Sequence, residues 1–403
     1  MKEITLINIT GEDKPGLTAS LMAILSQHQV TILDMGQAVI HQSLALGLLV
    51  EVPTHNAENP VLKDLLFHLH EQKLQAQFTP VSEESYESWV ALHGKPRFII
   101  TLLARRITAE HIARVSQLTQ RFDLNIEDIQ RLSGRISLRE EQEDSKGCFE
   151  FTVRGVVDRS VELRSQFLEL ANELDVDIAF QEDTLFRRNR RLVCFDMDST
   201  LIEGEVIDEL AMVAGVGEQV ASITERAMRG ELDFKQSFRE RVALLAGLPA
   251  ERISDVIDQL PITEGAERLI GNLKRLGYRT AILSGGFTFF GEYLQKKLGI
   301  DYVYANKLDI VDGKLSGKVS GDIIDGARKA ELLAELASKE RISLEQVIAV
   351  GDGANDLPML SAAGLGIAFR AKPIVQQRAE HSISTLGLDG ILYLLGFSDN
   401  QDL

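Results

Sequence analysis

Cysteine is scarce: the 403-residue chain has two, Cys148 and Cys194, with no C-x-x-C pair. That argues against a disulfide framework and fits a reducing compartment. The eight histidines form no zinc spacing. His68 and His70 stand two apart in a helical-looking stretch, so they do not share a face, and both read as surface residues. Long apolar runs are also missing. The longest, near residues 44–52, is too short to span a bilayer. The opening MKEITLINIT carries charge early and reads as a strand rather than a signal peptide, so a cytoplasmic protein is expected. Positive charge is the third lack, with a net charge of −17. Nucleic acids and anionic membranes need a positive field and are not expected partners, although a pocket with local cations can still take a small anion.

What is present is an ordinary globular composition, 44% hydrophobic and 26% charged, which disorder and coiled coil fit poorly. The length predicts several domains, at about 100 to 200 residues each. Residues 3–9 alternate as a strand. GEDKPG follows as a loop, with Pro15 at a helix start and Asp13 placed to cap it. Two strands at 31–40 and 44–52, a helix over 59–73 and an extended stretch complete a βαββαβ order. Residues 96–183 repeat it more loosely: strand 97–103, helix 108–122, strands 124–132 and 148–156, helix 160–173 and strand 176–181. The acidic REEQEDSKG reads as a surface loop within this second copy. Two small βαββαβ units fit better than one large domain.

At DTLFRRNRR the character changes. A basic linker leads into the apolar strand LVCF, and strands then alternate with helices. Short apolar runs at 192–195, 278–283, 346–350 and 365–368 argue for a parallel sheet covered on both faces. Residues 204–262 carry only helical patterns and read as an inserted helical cap. The expected organisation is 1–90, 95–183 and 184–403.

DMDST, residues 196–200, ends the apolar strand LVCF, where open α/β sheets place their ligands. Asp196 and Asp198 point the same way in extended chain. Such close carboxylates repel, and a divalent cation relieves them. The bland reading is an Asx-rich helix cap. GDGANDLPML, residues 351–360, adds Asp352 and Asp356 at another strand end, with a Gly/Asp turn and a helix cap as its bland reading. SGGF, residues 284–287, follows the strand read at 278–283, and Ser284 with the N–H groups after it reads as a helix opening, a ready anion site, or else as an ordinary strand-to-helix turn. Lys329 in GARKAELL sits near a helix start, which is unfavourable unless an anion is near. On local grounds it is a solvated surface lysine. Taken together, the four supply a nucleophile, a second carboxylate, phosphate donors, a cation and metal ligands, the parts that phosphoryl transfer needs.

The order D-x-D-S-T, S-G-G, Lys and G-D-G-x-N-D resembles the haloacid dehalogenase superfamily. DMDSTLIEGE, AMRGELDFKQSFRERV and GDGANDLPML together look like its phosphoserine phosphatases, over roughly residues 185–395. GEDKPGLT in the first half resembles ACT domains, and the second copy has RRIT in place of the D-x-P-G loop. The implied fold is a Rossmann-like haloacid dehalogenase core with a helical cap, preceded by two ferredoxin-like ACT units.

The resemblance implies Asp196 as nucleophile and Asp198 as general acid and base. It implies Mg2+ held by the Asp196 carboxylate, the Asp198 backbone carbonyl and Asp352. Ser284, Gly285 and Lys329 would hold the phosphoryl oxygens, with Asn355 and Asp356 orienting the site and the metal's waters. Glu205 would face the amine of free O-phospho-L-serine and Arg241 its carboxylate, with Met228 and Phe234 walling the pocket. On the residues alone Arg241 cannot be chosen over Arg226 or Arg239. Glu205 alone reads as a helix-start residue, and Met228 and Phe234 as cap core. The implied role is the last step of serine synthesis. Phosphothreonine, phosphohomoserine, transfer to another alcohol, or an inactive regulatory protein are the competing readings. The ACT half implies an amino-acid ligand, plausibly serine, near Asp13 and Gly16, or simply subunit pairing; a homodimer is expected.

Overall fold

The computed structural model describes residues 2–53, 60–92, 94–135 and 145–399. Most of the REEQEDSKG loop, and Asn59 at the expected start of the second helix, lie outside these. The chain forms two compact units, Met1–Lys95 and Pro96–Leu403.

The first unit runs β1 (Lys2–Glu12), α1 (Leu17–Gln27), β2 (Thr31–Ile40), β3 (Ser43–Pro53), α2 (Pro60–Glu71) and β4 (Gln75–Val81). Its antiparallel sheet has the order β2-β3-β1-β4. Strand β3 alternates strictly, burying Leu44, Leu46, Leu48, Val50 and Val52. These pack in one core with Leu17, Leu21 and Leu25 of α1 and Val61, Leu65 and Leu69 of α2, each set spaced by four. The helical and strand periods therefore converge on one layer. Two expectations change here. Helix α1 begins after Pro15, with left-handed Gly16 at its N-cap and no side-chain cap bond, so Asp13 does not cap it. A further helix, α3 (Glu83–Leu92), follows β4. No residue of α3 is buried within its unit, so it lacks the apolar face that makes a helix legible.

The second unit opens with the repeated order: β5 (Arg97–Ala104), α4 (Ala109–Arg121), β6 (Asn125–Arg131), β7 (Gly147–Arg154), α5 (Ser160–Leu174) and β8 (Asp177–Glu182), in a sheet β6-β7-β5-β8. The central strand of the parallel sheet, β9 (Leu192–Phe195), follows. Four helices interrupt next: α6 (Val206–Ala214), α7 (Gly217–Met228), α8 (Phe234–Ala243) and α9 (Arg252–Ile257). The alternation resumes with α10 (Ala266–Arg275), β10 (Arg279–Phe287), α11 (Thr288–Leu298), β11 (Tyr302–Val311), β12 (Lys314–Ser320), α12 (Gly326–Lys339), β13 (Val347–Gly351), α13 (Leu357–Ala362), β14 (Leu365–Phe369), α14 (Pro373–Gln376), β15 (His381–Ile383) and α15 (Ile391–Leu394).

The large sheet has the order β12-β11-β10-β9-β13-β14-β15 and is parallel except for β12. All four residues of β9 are fully buried because helices cover both faces. The hairpin β11–β12 is absent from the sequence reading. Its turn is Asp312-Gly313, both at left-handed φ, the Asp-Gly signal of a tight hairpin. It supports the cap: the Gly247 N–H donates to the Leu315 carbonyl at 2.8 Å. Among the described residues no helix is long and apolar enough to cross a membrane.

The second βαββαβ module and the parallel sheet pack as one body. Leu103, Leu132, Cys148 and Ala179 share a core with Leu394 and Leu395. The stretch read as a basic linker is a packed junction instead. Arg187 and Arg190 are buried, Arg187 pairs with Glu150, and Arg190 donates to the Glu345 carbonyl at 2.7 Å. Long aliphatic stems let arginines fill such a seam.

Candidate active site

Strands β9, β10 and β13 are central neighbours, so the residues after them converge at one sheet edge. Asp196 follows β9 and is buried; its N–H donates to the Val350 carbonyl of β13 at 2.8 Å. The Lys329 Nζ, fully buried, reaches Asp196 Oδ2 at 2.8 Å and Asp356 Oδ1 at 2.7 Å. The surface-lysine reading is therefore overturned. Burial opposes the lysine's charge, but the carboxylates of Asp196 and Asp356 outweigh it and raise its pKa.

The turn after DMDST is tight. Ser199 has φ 55° and Gly204 has φ 109°, and the Ser199 N–H donates to the Gly204 carbonyl at 3.0 Å. A non-glycine residue in the left-handed region is uncommon and marks a held conformation. The turn brings Glu205 back to the Ser199 hydroxyl at 3.3 Å. Glu205 stands at the N-cap position of α6 without a side-chain cap bond, so it is not spent on the helix.

Asp198 accepts the Val206 N–H at 3.0 Å. Burial first, then the charges of Glu205 and Asp196, push its pKa well above the usual carboxylate range. Gly286 lies against it: a Cβ there would come within 2.5 Å of Asp198 Oδ2 and 2.6 Å of Met197 Cε. Only glycine admits that approach. SGGF is not a helix opening. Residues 284–287 end β10, α11 starts at Thr288, and the Ser284 hydroxyl accepts the Gly286 N–H at 2.9 Å.

Asp352 and Asp356 follow β13. Asp352 Oδ1 accepts the Thr200 hydroxyl at 3.2 Å. Asp356 is fully buried and accepts the Gly353 N–H at 3.0 Å on Oδ2, with Lys329 on Oδ1. It stands at the N-cap of α13 but makes no side-chain cap bond to it; its capping bond, from the Gly353 N–H, goes to the single turn 354–356, and its other oxygen holds Lys329. Burial and the Asp196 charge raise Asp356 to about 7 and, with Asp356 added, Asp352 to about 8. Oxygens of Asp196, Asp352 and Asp356 come within 4.8 Å of one another. This crowding of hard oxygen donors around one lysine leaves unbalanced negative charge, which suits a small divalent cation. Both oxygens of Asp356 are engaged, and so are those of Asp196, by the Met197 N–H at 2.7 Å and by Lys329; Asp352, held only by Thr200 among the described residues, is the least committed of the three.

Above this floor opens a pocket of about 950 Å³. Asp196, Asp198, Glu205, Arg241, Asp352 and Asn355 line it, as do Met228, Phe234 and Gly285. Ser284, Lys329 and Asp356 lie behind that lining, fully buried. Met228 is 69% exposed and so stands at the mouth rather than in a cap core. Phe234 stacks on Phe238 at 6.0 Å, and Phe238 meets Phe287 at 5.8 Å. Burial lowers the Arg241 pKa while Glu205, Asp208 and Asp198 oppose the shift; its Nε has no hydrogen-bond partner among the described residues. Protein crowding, then Asp196 and Asp208, raise Glu205, although the pocket still wets it. Arg226 pairs with Glu240 at 3.1 Å on the surface and is absent from the pocket lining, as is Arg239. The geometry therefore separates Arg241 from both. Three residues escaped the sequence reading. Thr200 sits inside DMDST itself, Asp208 shares a helix face with Glu205 at i+3, and Lys372 lines the pocket from just before α14.

The pattern describing ACT domains matches residues 3–79, and that describing haloacid dehalogenase-like hydrolases matches residues 190–364. A phosphoserine phosphatase of Streptomyces coelicolor is 41% identical, covering 98% of this chain and 93% of its own. One of Mycobacterium tuberculosis is also 41% identical, over 99% of this chain and 95% of its own. The unliganded structure of a probable phosphoserine phosphatase from Vibrio cholerae is 36% identical with a TM-score of 0.59, covering 74% of this chain and 86% of that one.

Proposed function

The chain belongs to the phosphoserine phosphatases, a family of haloacid dehalogenase-like hydrolases, and from that premise we propose that it hydrolyses free O-phospho-L-serine to L-serine and phosphate through a phospho-aspartate on Asp196. The observation that carries this is the juxtaposition of Asp196 with buried Lys329 and Asp352 beneath a pocket walled by Glu205 and Arg241.

A carboxylate oxygen of Asp196 attacks phosphorus, and the bond from phosphorus to the serine oxygen breaks. Asp198, held protonated by burial and its acidic neighbours, gives its proton to that oxygen. Asp198, now a carboxylate, takes a proton from water. The water oxygen attacks phosphorus, and the bond to Asp196 breaks. Lys329 offsets charge on the phosphoryl oxygens throughout, with the hydroxyl of Ser284 and the backbone of Gly285 behind it. Asp196, the Asp198 backbone carbonyl and Asp352 would hold Mg2+, with Asn355 and Asp356 orienting them; the ion would supply charge stabilisation at the phosphoryl group. Glu205 suits the substrate ammonium. The Arg241 fork suits its carboxylate. Met228 and Phe234 close the sides.

We place the domains at 1–90, 95–183 and 184–403, in a cytoplasmic homodimer that serves the last step of serine synthesis. The N-terminal ACT domain would take a regulatory amino acid such as serine at the Asp13–Gly16 loop. The direct test of substrate is phosphate release from phosphoserine, phosphothreonine, phosphohomoserine and sugar phosphates, with and without Mg2+. Phosphoserine with Mg2+ is expected to lead, and Arg241→Ala is expected to erase that preference. Equal rates across the panel would remove the amino-acid reading.

A further inference from the structure

The cap helices α6 to α9 are inserted between β9 and α10, so two chain segments join them to the core, residues 201–205 on the way out and 258–264 on the way back. These segments pair with each other. Ile202 bridges Ile262 in antiparallel fashion. The Glu203 N–H donates to the Pro261 carbonyl at 3.0 Å, and the Thr263 N–H donates to the Leu201 carbonyl at 3.0 Å. The result is a short two-stranded stem beneath the cap. Its outgoing strand ends at Glu205, which lines the catalytic pocket. Where the stem stands therefore sets where Glu205 stands.

The stem is gripped from outside the cap. Arg105, in the second βαββαβ module, donates from Nη1 to Glu264 Oε1 at 2.8 Å and from Nη2 to Glu264 Oε2 at 2.6 Å. Arg370, just after β14, donates to the same Glu264 Oε2 at 3.0 Å and stands 3.6 Å from Glu203 Oε1 on the other strand of the stem. Its φ is 43°, an uncommon value for a residue other than glycine and the mark of a held conformation. The backbone is fixed as well, since the Glu264 carbonyl accepts the Leu388 N–H at 2.8 Å. An isolated exposed ion pair contributes little, but a bidentate pair inside a network of four charges is the exception. Arg105 also has a telling place in its own module. It opens RRIT, residues 105–108, the connection from β5 to α4. The first module has GEDKPG at that place, between β1 and α1. The Ser145 hydroxyl ties the Arg105 carbonyl at 2.8 Å, and the side chain reaches across to the catalytic domain.

We propose that Arg105 is a positioning residue for the phosphatase: through Glu264 it fixes the cap stem, and the stem holds Glu205 where the ammonium of the substrate is met. The second βαββαβ module thus contributes to substrate binding without touching the substrate. The inference rests on the phosphoserine phosphatase reading, and its test keeps the two apart. Loss of Arg105 should weaken a ligand that carries an ammonium and spare one that does not.

The test is steady-state formation of L-serine from phosphoserine by the full chain with Mg2+, with inorganic phosphate as a competing inhibitor that has no ammonium. Arg105→Ala should raise KM for phosphoserine about fivefold, with kcat within about twofold and the inhibition constant of phosphate unchanged. Arg105→Lys keeps the charge without the fork and should raise KM about twofold; it carries the same test should Arg105→Ala not fold. Adding Arg105→Ala to Glu264→Ala should cost nothing further, because the two act as one pair. Arg114→Ala removes another bidentate pair of the same module, to Glu173 at 3.0 and 2.7 Å, and should leave KM and kcat as they are. An unchanged KM in both Arg105 variants, or an equal weakening of phosphoserine and phosphate, overturns this inference alone. No L-serine from the wild type overturns the phosphatase reading and this inference with it.

Discussion

Lys329 illustrates how much a single side chain can hide. Its local sequence reads as a solvated lysine, yet it is fully buried between Asp196 and Asp356. Only the joint order of four motifs along the chain placed it in a site. Asp196, Asp352 and Asp356 were legible for the same reason, since each follows an apolar strand. Asp208 and Lys372 were not, because nothing in their local pattern distinguishes a pocket residue from a surface one; Thr200 lies inside DMDST, but its bond to Asp352 joins two motifs far apart in the chain and is not visible in either. His381 was equally silent, and it carries a prediction about stability. Its pKa is about 3 in the fold, against roughly 6.5 in an unfolded chain. Between those values the unfolded chain binds a proton that the folded chain does not. Stability is therefore fully present above pH 6.5 and is lost as pH falls below it, by about 2 kcal/mol at pH 5. Urea unfolding at pH 7.5 and pH 5 should show wild type losing about that much more than His381→Gln. Equal losses would mean that the fold accommodates a charged ring.

At the scale of elements, strong periods were legible and featureless ones were not. Strand β3 announces itself by alternation, and β9 by a short apolar run. Helix α3 buries nothing in its unit and has no period to read. The β11–β12 hairpin was missed although Asp312-Gly313 marks its turn. SGGF was misread because the strand before it continues through the two glycines. The cap was read correctly as helical. It meets the core through Phe234, which lies so near Gly285 that a Cβ there would sit 3.1 Å from the ring. Lys235, next in α8, pairs with Asp325 at 2.9 Å, an exposed contact worth little alone. Phe234→Ala should therefore loosen the closed pocket and raise KM for phosphoserine about tenfold, with kcat less affected, since burying such a ring contributes about 1.5 to 3 kcal/mol. Steady-state phosphate release measures both constants. An unchanged KM would show that the cap closes without this ring.

At the scale of the whole molecule, the feature least legible in the sequence is the seam between the second βαββαβ module and the catalytic domain. A run of arginines looks like a solvated linker, because charge density is visible in a sequence and burial is not. Here Arg187 is 1% exposed and pairs with buried Glu150. Removing one partner of a buried pair leaves the other uncompensated, at a cost of about 3 to 5 kcal/mol. Arg187→Met should lower stability by roughly that amount, and adding Glu150→Gln should restore part of it. Denaturant melts of both variants check this, and a loss within about 0.5 kcal/mol of zero would show that the seam does not depend on the pair.

The central claim remains the covalent step at Asp196. The most direct measurement is to mix the enzyme with phosphorus-labelled O-phospho-L-serine and Mg2+, quench with acid within the first turnover, and map the label by mass spectrometry of the peptides. The account predicts a phosphoryl group on Asp196, and neither label nor turnover in Asp196→Asn. Label on any other residue, or undiminished phosphate release by Asp196→Asn, would contradict it.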